Sequence, residues 1–428
     1  MSQPRVLARP ALLPIRELRS DPLVRNSFFL MATAALGAGS GFVFWLIVAR
    51  LYPTAEVGRA SSLLSSVALL SYFSLFGFSN ALIRFLPTSR DRARDAGTAI
   101  SVVVLCSLVI SAGFGLAAPW LAGDLGFLRS TGSRLAVFVL LAAGAAVNLL
   151  TDSIFVAVRA TRTNLLINGI LMSTVKLGLP VLAVAYGAFG IFAASGAAST
   201  LAAIVSLAVI RKQLAIRARA LFSRASLRAM LNYSLGSYLS GSLNLLPQIA
   251  LPIIVLHELG PVLAAVYFVA FQISNLVSAA SYAIGEALFA EGSHEPGALR
   301  RLALRSGGMM LALTATAVAA VAALAVPILR VFGDDYARHG TATLVLFAFS
   351  SLAVAFNTWA GFLLKVQRRL GRLVASNLVF IVVILAVALG KLHDGLIWAP
   401  IAWGLGNLLC GAVAAVGLVR NPREEQPA

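Results

Sequence analysis

The sequence predicts an all-α polytopic membrane protein with about twelve transmembrane helices in two parallel, pseudo-repeated six-helix lobes. Three observations support this fold class. Of the 428 residues, 59% are hydrophobic and 12% are charged, and the mean hydropathy of +0.90 is far above that of a soluble globular protein. The apolar residues form runs of about 20, the length that crosses a bilayer. A basic segment at residues 211–228 divides these runs into two equal sets.

The basic segment RKQLAIRARALFSRASLR contains six cations and no carboxylate. Because a Lys or Arg at the centre of the bilayer costs roughly 3 kcal/mol, we expect this segment to lie at the cytoplasmic surface as a tether. The domains expected in chain order are a basic cytoplasmic leader at 1–25, an N-terminal lobe at 26–210, the tether at 211–229, a C-terminal lobe at 230–419 and a cytoplasmic tail at 420–428.

The apolar runs define the spans in order. The first run ends in Val-Ala-Arg-Leu-Tyr-Pro rather than in a small-residue cleavage site, so we expect it to be retained as span one. The twelve predicted spans are 28–48, 60–85, 96–121, 135–158, 165–186 and 191–210 before the tether, and 230–256, 262–288, 302–328, 341–364, 373–389 and 396–419 after it.

The cations test this order, because cytoplasmic loops carry an excess of Lys and Arg. With the amino terminus inside, 26 of the 34 cations fall on the cytoplasmic side, 7 fall outside and Lys176 lies within a span. The sequence therefore predicts a multi-pass protein of the inner (plasma) membrane with both termini in the cytoplasm. Since the cations lie in short loops between apolar runs, we expect membrane lipids, and not nucleic acid, around the protein.

Six spans in each half give both halves the same orientation, so any internal repeat is parallel. A weak repeat is visible: Asn26 begins a span that ends in Arg-Leu-Tyr-Pro53, and Asn232 begins one that ends in Glu-Leu-Gly-Pro261. No loop is large enough to fold as a domain, and no HExxH, P-loop or GxSxG motif occurs. We therefore expect no enzyme activity, no catalytic residue, no metal site and no cofactor.

Four stretches then point to a family. They are Ile47-Val-Ala-Arg-Leu-Tyr-Pro53 with Glu56-Val-Gly58, Ala81-Leu-Ile-Arg-Phe-Leu-Pro87, Tyr186-Gly-Ala-Phe-Gly-Ile191, and Val331-Phe-Gly-Asp-Asp-Tyr-Ala337. In order and placement they resemble the Wzx-type polysaccharide flippases of the multidrug/oligosaccharidyl-lipid/polysaccharide (MOP) exporter superfamily. The lipid II branch is less similar, since it usually has arginines where this chain has Phe42, Phe44 and Trp45.

The resemblance implies a function. A flippase of this type exports a polyprenyl-pyrophosphate-linked oligosaccharide for cell-surface polysaccharide synthesis by alternating access, as a functional monomer, through a cavity lined largely by spans one, two, seven and eight. The alternative is an ion-coupled antiporter of small molecules or drugs in the same superfamily. Such an antiporter would be expected to hold carboxylates deep in the first lobe, where only Asp152 qualifies.

Polar residues inside spans are expensive and are the candidates for substrate binding. Arg84 and Asn80, one helical turn apart near the cytoplasmic end of span two, are candidates to contact the pyrophosphate; the alternative is that Arg84 only anchors the span. The other candidates lie in spans one, seven and eight, where amides can bind sugar hydroxyls: Asn26, Asn244, Gln248, Gln272 and Asn275. For span seven, a small-residue helix interface is an equal alternative.

Four further residues are candidates for coupling to a proton or sodium ion, or for a buried polar network. Asn148 and Asp152 are one turn apart on span four, and Lys176 lies on the antiparallel span five. Because the chain reverses at the loop 159–163, Asn148 is expected at the same depth as Lys176. A buried structural network of these residues is favoured over a substrate site. Glu286, on span eight, either binds a coupling ion or pairs with a loop arginine such as Arg300.

Overall fold

The computed structural model describes residues 22–121, 123–213, 223–294 and 298–419. The predicted tail, most of the predicted leader and the middle of the predicted tether lie outside these residues. Within the described ranges the chain forms helices and no β-strand. The predicted all-α class with two six-helix lobes is confirmed.

The spans follow the predicted order. Their bounds are Pro22–Leu51 for span one, Thr54–Leu75 and Phe78–Phe85 for span two, Arg92–Leu121 for span three, Gly132–Ala157 for span four, Thr161–Leu182 for span five, Gly187–Gln213 for span six, Arg224–His294 for spans seven and eight together, Leu299–Phe332 for span nine, Asp334–Val366 for span ten, Leu370–Lys391 for span eleven and Trp398–Val419 for span twelve.

Spans seven and eight form one continuous stretch of helix with a sharp break. Gly260 has φ 79° and ψ 176°, which is not helical, and Pro261 begins span eight. Glycine adopts a positive φ without steric cost, and proline is tolerated in the first turn of a helix. The predicted turn between residues 256 and 262 therefore lies where the sequence Glu-Leu-Gly-Pro indicated it.

Span two differs from the prediction, because it is not one continuous helix over residues 60–85. Phe76 (φ 44°) and Gly77 (φ 75°) both have left-handed backbone conformations, and the helices on either side are bent by 49°. Two left-handed residues end the hydrogen-bond ladder of a right-handed helix. Hydropathy does not reveal this break, because both residues lie inside an apolar run.

The two lobes share a buried core at the ends that the cation pattern places outside. One cluster of buried side chains includes Val57 and Leu63 from span two together with Leu251, Val255 and Ala265 from spans seven and eight. Burial of such side chains from two lobes in one cluster stabilises their contact by dispersion and close packing.

Close backbone approach and hydrogen bonds reinforce this contact. An ideal Cβ on Gly58 would lie 1.7 Å from the carbonyl oxygen of Pro261, so only glycine allows span two to lie this close to span eight. The Ser62 hydroxyl donates to the Pro252 carbonyl at 2.9 Å. These contacts close the molecule at the predicted outer end.

Polar side chains also connect the lobes at the outer ends of their spans. Arg50 Nε donates to the Val331 carbonyl at 2.6 Å, and its Nη2 donates to the Arg330 carbonyl at 3.0 Å. Thr54 Oγ1 donates to Asp335 Oδ2 at 3.0 Å. Arg50 thus satisfies carbonyl groups in the last turn of span nine, which have no partner within their own helix.

Two of the family-like motifs meet at the outer face of the N-terminal lobe. The Glu56 carboxylate accepts from Arg59 Nη1 at 2.7 Å and from the Ala188 amide at 2.6 Å, and Arg59 Nε donates to Asp124 Oδ1 at 3.1 Å. Glu56 therefore satisfies a free amide in the first turn of span six, where the helix dipole also favours a negative charge.

Tyr52, in the Arg-Leu-Tyr-Pro motif just beyond span one, ties that span to span five. Its hydroxyl donates to the Pro180 carbonyl at 2.6 Å. Burial raises the pKa of this hydroxyl above its usual value. The hydroxyl thus remains protonated, and the hydrogen bond holds, throughout the physiological pH range.

Candidate functional site

Two adjoining cavities lie on either side of span one, beside its residues 37–45. The lobe cavity, of about 370 Å³, is enclosed by spans one, two, four, five and six, with Phe268 of span eight at its edge. The inter-lobe cavity, of about 310 Å³, lies between spans one and eight. Both volumes fall in the range of about 300–1,000 Å³ that is usual for ligand pockets.

Three side chains line both cavities: Trp45, Lys176 and Phe268. The rings of Trp45 and Phe268 pack with their centroids 4.4 Å apart, which joins span one to span eight. Lys176 Nζ lies 5.0 Å from the centroid of the Phe44 ring, a distance at which a cation is attracted to an aromatic face. The junction of the cavities therefore combines an aromatic wall with one cation.

The inter-lobe cavity receives two of the predicted amides. Gln272 and Asn275 lie on its span eight wall, and Asn275 Nδ2 donates to Gln272 Oε1 at 3.4 Å. The opposite wall contains Gly37 and Gly41 of span one, whose missing side chains leave room for a solute. Since both amide side chains are exposed, they remain available to a solute that enters this space.

Asn148 and Asp152 belong to a chain of hydrogen bonds between spans four and five. Asn148 Nδ2 donates to Asn168 Oδ1 at 2.8 Å, Asn168 Nδ2 donates to Asn164 Oδ1 at 2.5 Å, and Asn164 Nδ2 donates to Asp152 Oδ1. Lys176 is not part of this chain, although Asn148 lines the lobe cavity beside it. The polar network that the sequence predicted thus exists for Asn148 and Asp152, with two asparagines as its other members.

Of the remaining candidates, those that the structure describes are not among the residues that line the two cavities. Asn26 accepts from Thr161 Oγ1 at 2.9 Å, which links the inner ends of spans one and five. Gln248 is partly buried within span seven. The side chain of Asn244 lies outside what the structure describes. Glu286 is exposed and lies near enough to Lys365 for their charges to interact, rather than forming a described ion pair with Arg300.

Asn80 and Arg84 lie on the short helix that follows the break in span two, and both are exposed. The Arg84 guanidinium lies 5.8 Å from the centroid of the Phe85 ring. The break turns this short helix by 49° from the part of span two that lines the lobe cavity. Neither Asn80 nor Arg84 is among the residues that line the two cavities.

Sequence reasoning did not single out three residues of the cavity walls. Phe268 and Trp45 are aromatic residues in apolar spans, where such residues are common in ordinary cores. Ser71 is one of many serines in span two; it is 2% exposed, and its hydroxyl has no hydrogen-bond partner in the described structure. The aromatic residues Phe42, Phe44 and Trp45, close together in span one, were the available signal in the sequence.

These walls suit a polar or anionic solute better than a metal ion. Among the described residues, no group of three or more His, Cys, Asp or Glu side chains comes together. The donor-bearing residues that line the cavities include Gln272 and Asn275 with their amides, Lys176 with its ammonium, and Ser71 with its hydroxyl. Such donors bind hydroxyl and anionic oxygen atoms.

Comparison with known proteins identifies relatives of the sequence and of the fold. A family described as "Polysaccharide biosynthesis protein" matches residues 23–289. No curated protein matches the sequence. The fold is similar to the lipid II flippase MurJ in an inward closed conformation, with a TM-score of 0.73 and 10% identity over 94% of this chain and 88% of that chain.

Two further solved structures have the same fold. One is the inward-facing conformation of a multidrug resistance MATE family transporter of the MOP superfamily, with a TM-score of 0.65 and 17% identity over 90% of this chain and 96% of that chain. The other is a MOP superfamily transporter from Pyrococcus furiosus, with a TM-score of 0.60 and 16% identity over 96% of this chain and 98% of that one.

Proposed function

Because this chain belongs to the polysaccharide biosynthesis protein family, we propose that it is a transporter that flips a polyprenyl-pyrophosphate-linked oligosaccharide from the cytoplasmic to the outer leaflet of the plasma membrane. The observation that carries this proposal is the inter-lobe cavity, which is closed at one end and lined by amides. Transport by alternating access requires two rigid lobes and a binding space between them. Catalysis is not part of this proposal.

The contacts between the outer ends of the two lobes must separate after the substrate has bound. Gly58 against Pro261, Ser62 with Pro252 and Thr54 with Asp335 hold the predicted outer ends together. A solute that enters from the cytoplasm is enclosed when the inner ends approach and is released when these outer contacts separate. If a proton or sodium ion drives this cycle, Asp152 and Glu286 are the candidate carboxylates.

The test is direct flipping by the purified protein. Proteoliposomes would receive fluorescently labelled lipid-linked oligosaccharides extracted from the native cells, and a membrane-impermeant quencher would report the fraction in each leaflet. We expect the protein to equilibrate the probe between leaflets faster than protein-free vesicles do. An unchanged rate with correctly folded protein would contradict the proposal.

The second candidate is an antiporter of drugs or other small molecules, favoured by the similarity of the fold to a multidrug resistance transporter. The lobe cavity argues against a cationic solute, because Lys176 lines it and no carboxylate is found among the described residues of its wall. Proteoliposomes that accumulate a cationic dye against an ion gradient, without flipping the lipid probe, would favour the antiporter.

Replacement of Arg84 tests whether this residue contacts the diphosphate of the lipid carrier. A guanidinium binds a phosphate with two parallel hydrogen bonds, whereas an ammonium acts as a point charge. We therefore expect both Arg84→Lys and Arg84→Ala to reduce the flipping rate about tenfold or more, which corresponds to about 1.4 kcal/mol. The measurement is the leaflet assay at matched protein content.

Arg90→Ala is the control for this experiment, since Arg90 is an exposed cation on the same predicted face. It should flip normally. Normal flipping by Arg84→Lys, together with impaired insertion of Arg84→Ala, would identify Arg84 as an anchor of the span. Normal flipping by correctly inserted Arg84→Ala would exclude the residue from the site.

The proposed location is the inner (plasma) membrane with both termini in the cytoplasm, and cysteine labelling tests this orientation. Single cysteines at Ala220, in the part of the tether outside the described residues, and at Asp394, between spans eleven and twelve, should lie on opposite sides. A membrane-impermeant thiol reagent added to whole cells should label Asp394→Cys and not Ala220→Cys. Equal external labelling of both would contradict the orientation.

A further inference from the structure

Lys176 is a cation inside the membrane without an anionic partner. In the part of the chain that the structure describes, its ammonium has no hydrogen bond or ion pair, and it lies 5.0 Å from the centroid of the Phe44 ring. The groups that could have neutralised it have other partners, since Asn148 donates to Asn168 and Asp152 accepts from Asn164. Because a charge within a span is costly unless it is paired or solvated, this position indicates a function.

Ser71 of span two lies beside the same space. The Ser71 hydroxyl is buried and lacks any hydrogen-bond partner in the described structure, and it lines the lobe cavity with Lys176. An unsatisfied buried hydroxyl costs about 1–3 kcal/mol. The Lys176 ammonium and the unsatisfied Ser71 hydroxyl, beside a cavity whose described lining residues include no carboxylate, are complementary to an anionic oxygen group.

The cavity is larger than an inorganic anion requires. Its volume is about 370 Å³, and it adjoins the inter-lobe cavity at Trp45, Lys176 and Phe268. The partly exposed ring of Trp45 supplies an apolar face on which the C–H face of a sugar ring can pack. The walls thus combine features that suit a sugar ring bearing a charge.

The depth of Lys176 indicates which part of a lipid-linked substrate reaches it. Lys176 lies 15 residues beyond Thr161, at the predicted inner end of span five, a distance of about 22 Å along the helix. The hydrocarbon core is about 30 Å thick, so Lys176 lies in its outer half. A diphosphate attached to a lipid in the inner leaflet remains near the inner surface, whereas the glycan extends into the cavity.

We propose that Lys176 and Ser71 form a binding site for the carboxylate of an acidic sugar, so that the transported oligosaccharide is a uronic acid-containing glycan. This inference rests on the proposed function, because it identifies the substrate class of the same transporter. In this site Lys176 supplies the charge and Ser71 donates a hydrogen bond to the carboxylate.

The test uses free monosaccharides and does not depend on flipping. Purified protein in nanodiscs is titrated with glucuronate, glucose and inorganic pyrophosphate, and tryptophan fluorescence reports occupancy because Trp45 lies at the junction. We expect saturable binding of glucuronate, at least about tenfold weaker binding of glucose, and loss of glucuronate binding in Lys176→Met. Ser71→Ala should weaken glucuronate binding and leave glucose unchanged.

Two controls define the site. Trp45→Phe should remove the fluorescence signal, which assigns it to the junction. Lys365→Met is a matched charge removal, because the Lys365 ammonium also lies over a ring, that of Phe362 at 4.4 Å, but in the other lobe. It should leave glucuronate binding intact, and a thermal unfolding curve for each variant identifies any that fail to fold.

Three outcomes would overturn the proposal: equal affinity for glucose and glucuronate, glucuronate binding that is unchanged in folded Lys176→Met, or Lys176-dependent binding of pyrophosphate as tight as that of glucuronate. The last outcome would assign the site to the diphosphate. Lys176-dependent glucuronate binding by a protein that flips no lipid probe would support the site and refute the proposed function. A protein that flips the lipid probe but binds no glucuronate would support the proposed function and refute the site.

Discussion

Substitution of Gly58 by valine should abolish transport by preventing closure of the outer ends of the two lobes. An ideal Cβ at this position lies 1.7 Å from the oxygen and 2.6 Å from the carbon of the Pro261 carbonyl. Both atoms are backbone, so no rotamer change relieves the overlap, and the lobes must separate. Because alternating access needs the closed outer state, we expect the flipping rate to fall more than tenfold.

The control is Gly39→Val, the same substitution where a Cβ meets nothing within 4 Å. It should retain most of the activity. A direct measurement of closure is the labelling of a single cysteine at Ser62, which is buried against Pro252, in a protein without its native cysteines. An impermeant thiol reagent added outside should label this cysteine faster in Gly58→Val. Normal flipping with unchanged labelling would contradict the role of this contact in the cycle.

The order of the spans could be predicted from the sequence because the physical causes are local. Each span needs about 20 apolar residues, and each cytoplasmic loop is marked by cations. Breaks made by strong turn residues were also visible, as at Gly260 and Pro261. Membership in the polysaccharide biosynthesis family, matched over residues 23–289, confirms the resemblance that the motifs indicated.

The break in span two could not be predicted in the same way. Gly77 is flanked by Phe76 and Phe78, so the apolar run continues through the bend. A single glycine inside a helical pattern is often tolerated, and the left-handed conformation of Phe76 depends on the packing around it. The orientation of Asn80 and Arg84 relative to the cavities is therefore a property of the tertiary structure.

The polar network was predicted by residue type but not by partner. Asn148 pairs with Asn168 and Asp152 with Asn164. Both pairs are centred on residue 158, so the hairpin of spans four and five turns just before the loop assumed at 159–163. A π-helical segment at Leu165–Leu171 also changes the register of span five. A shift of this kind separates Lys176 from the carboxylate, which sequence spacing alone could not determine.

That Lys176 lacks an ionic partner among the described residues could be learned only from the tertiary structure. From the sequence, a lysine and an aspartate on adjacent antiparallel spans favour a structural network. The structure gives the aspartate to an asparagine and leaves the lysine facing two cavities. The same residues thus divide into a hydrogen-bonded network that contains Asp152 and a lysine that lines both cavities.

A covalent link between residues 54 and 335 is expected to stop transport completely and reversibly. Thr54 Oγ1 lies 3.0 Å from Asp335 Oδ2 across the outer ends of the two lobes. Cysteines at these positions are therefore close enough for a short bis-methanethiosulfonate reagent. Since the outer ends must separate to release the substrate, the link should hold the protein in the state in which these ends are in contact. A reductant should then restore transport.

A second cysteine pair provides the matched control. Arg59 and Asp124, whose side chains are 3.1 Å apart, lie at the same outer face but within one lobe. A lobe that moves as a rigid unit keeps this distance throughout the cycle, so Arg59→Cys with Asp124→Cys should transport equally well before and after linking. For the pair at 54 and 335, the leaflet assay should show no protein-dependent flipping once linking is complete. Undiminished flipping in that fully linked sample would mean that the outer ends need not separate, and that the lobes do not move as rigid units about the inter-lobe cavity.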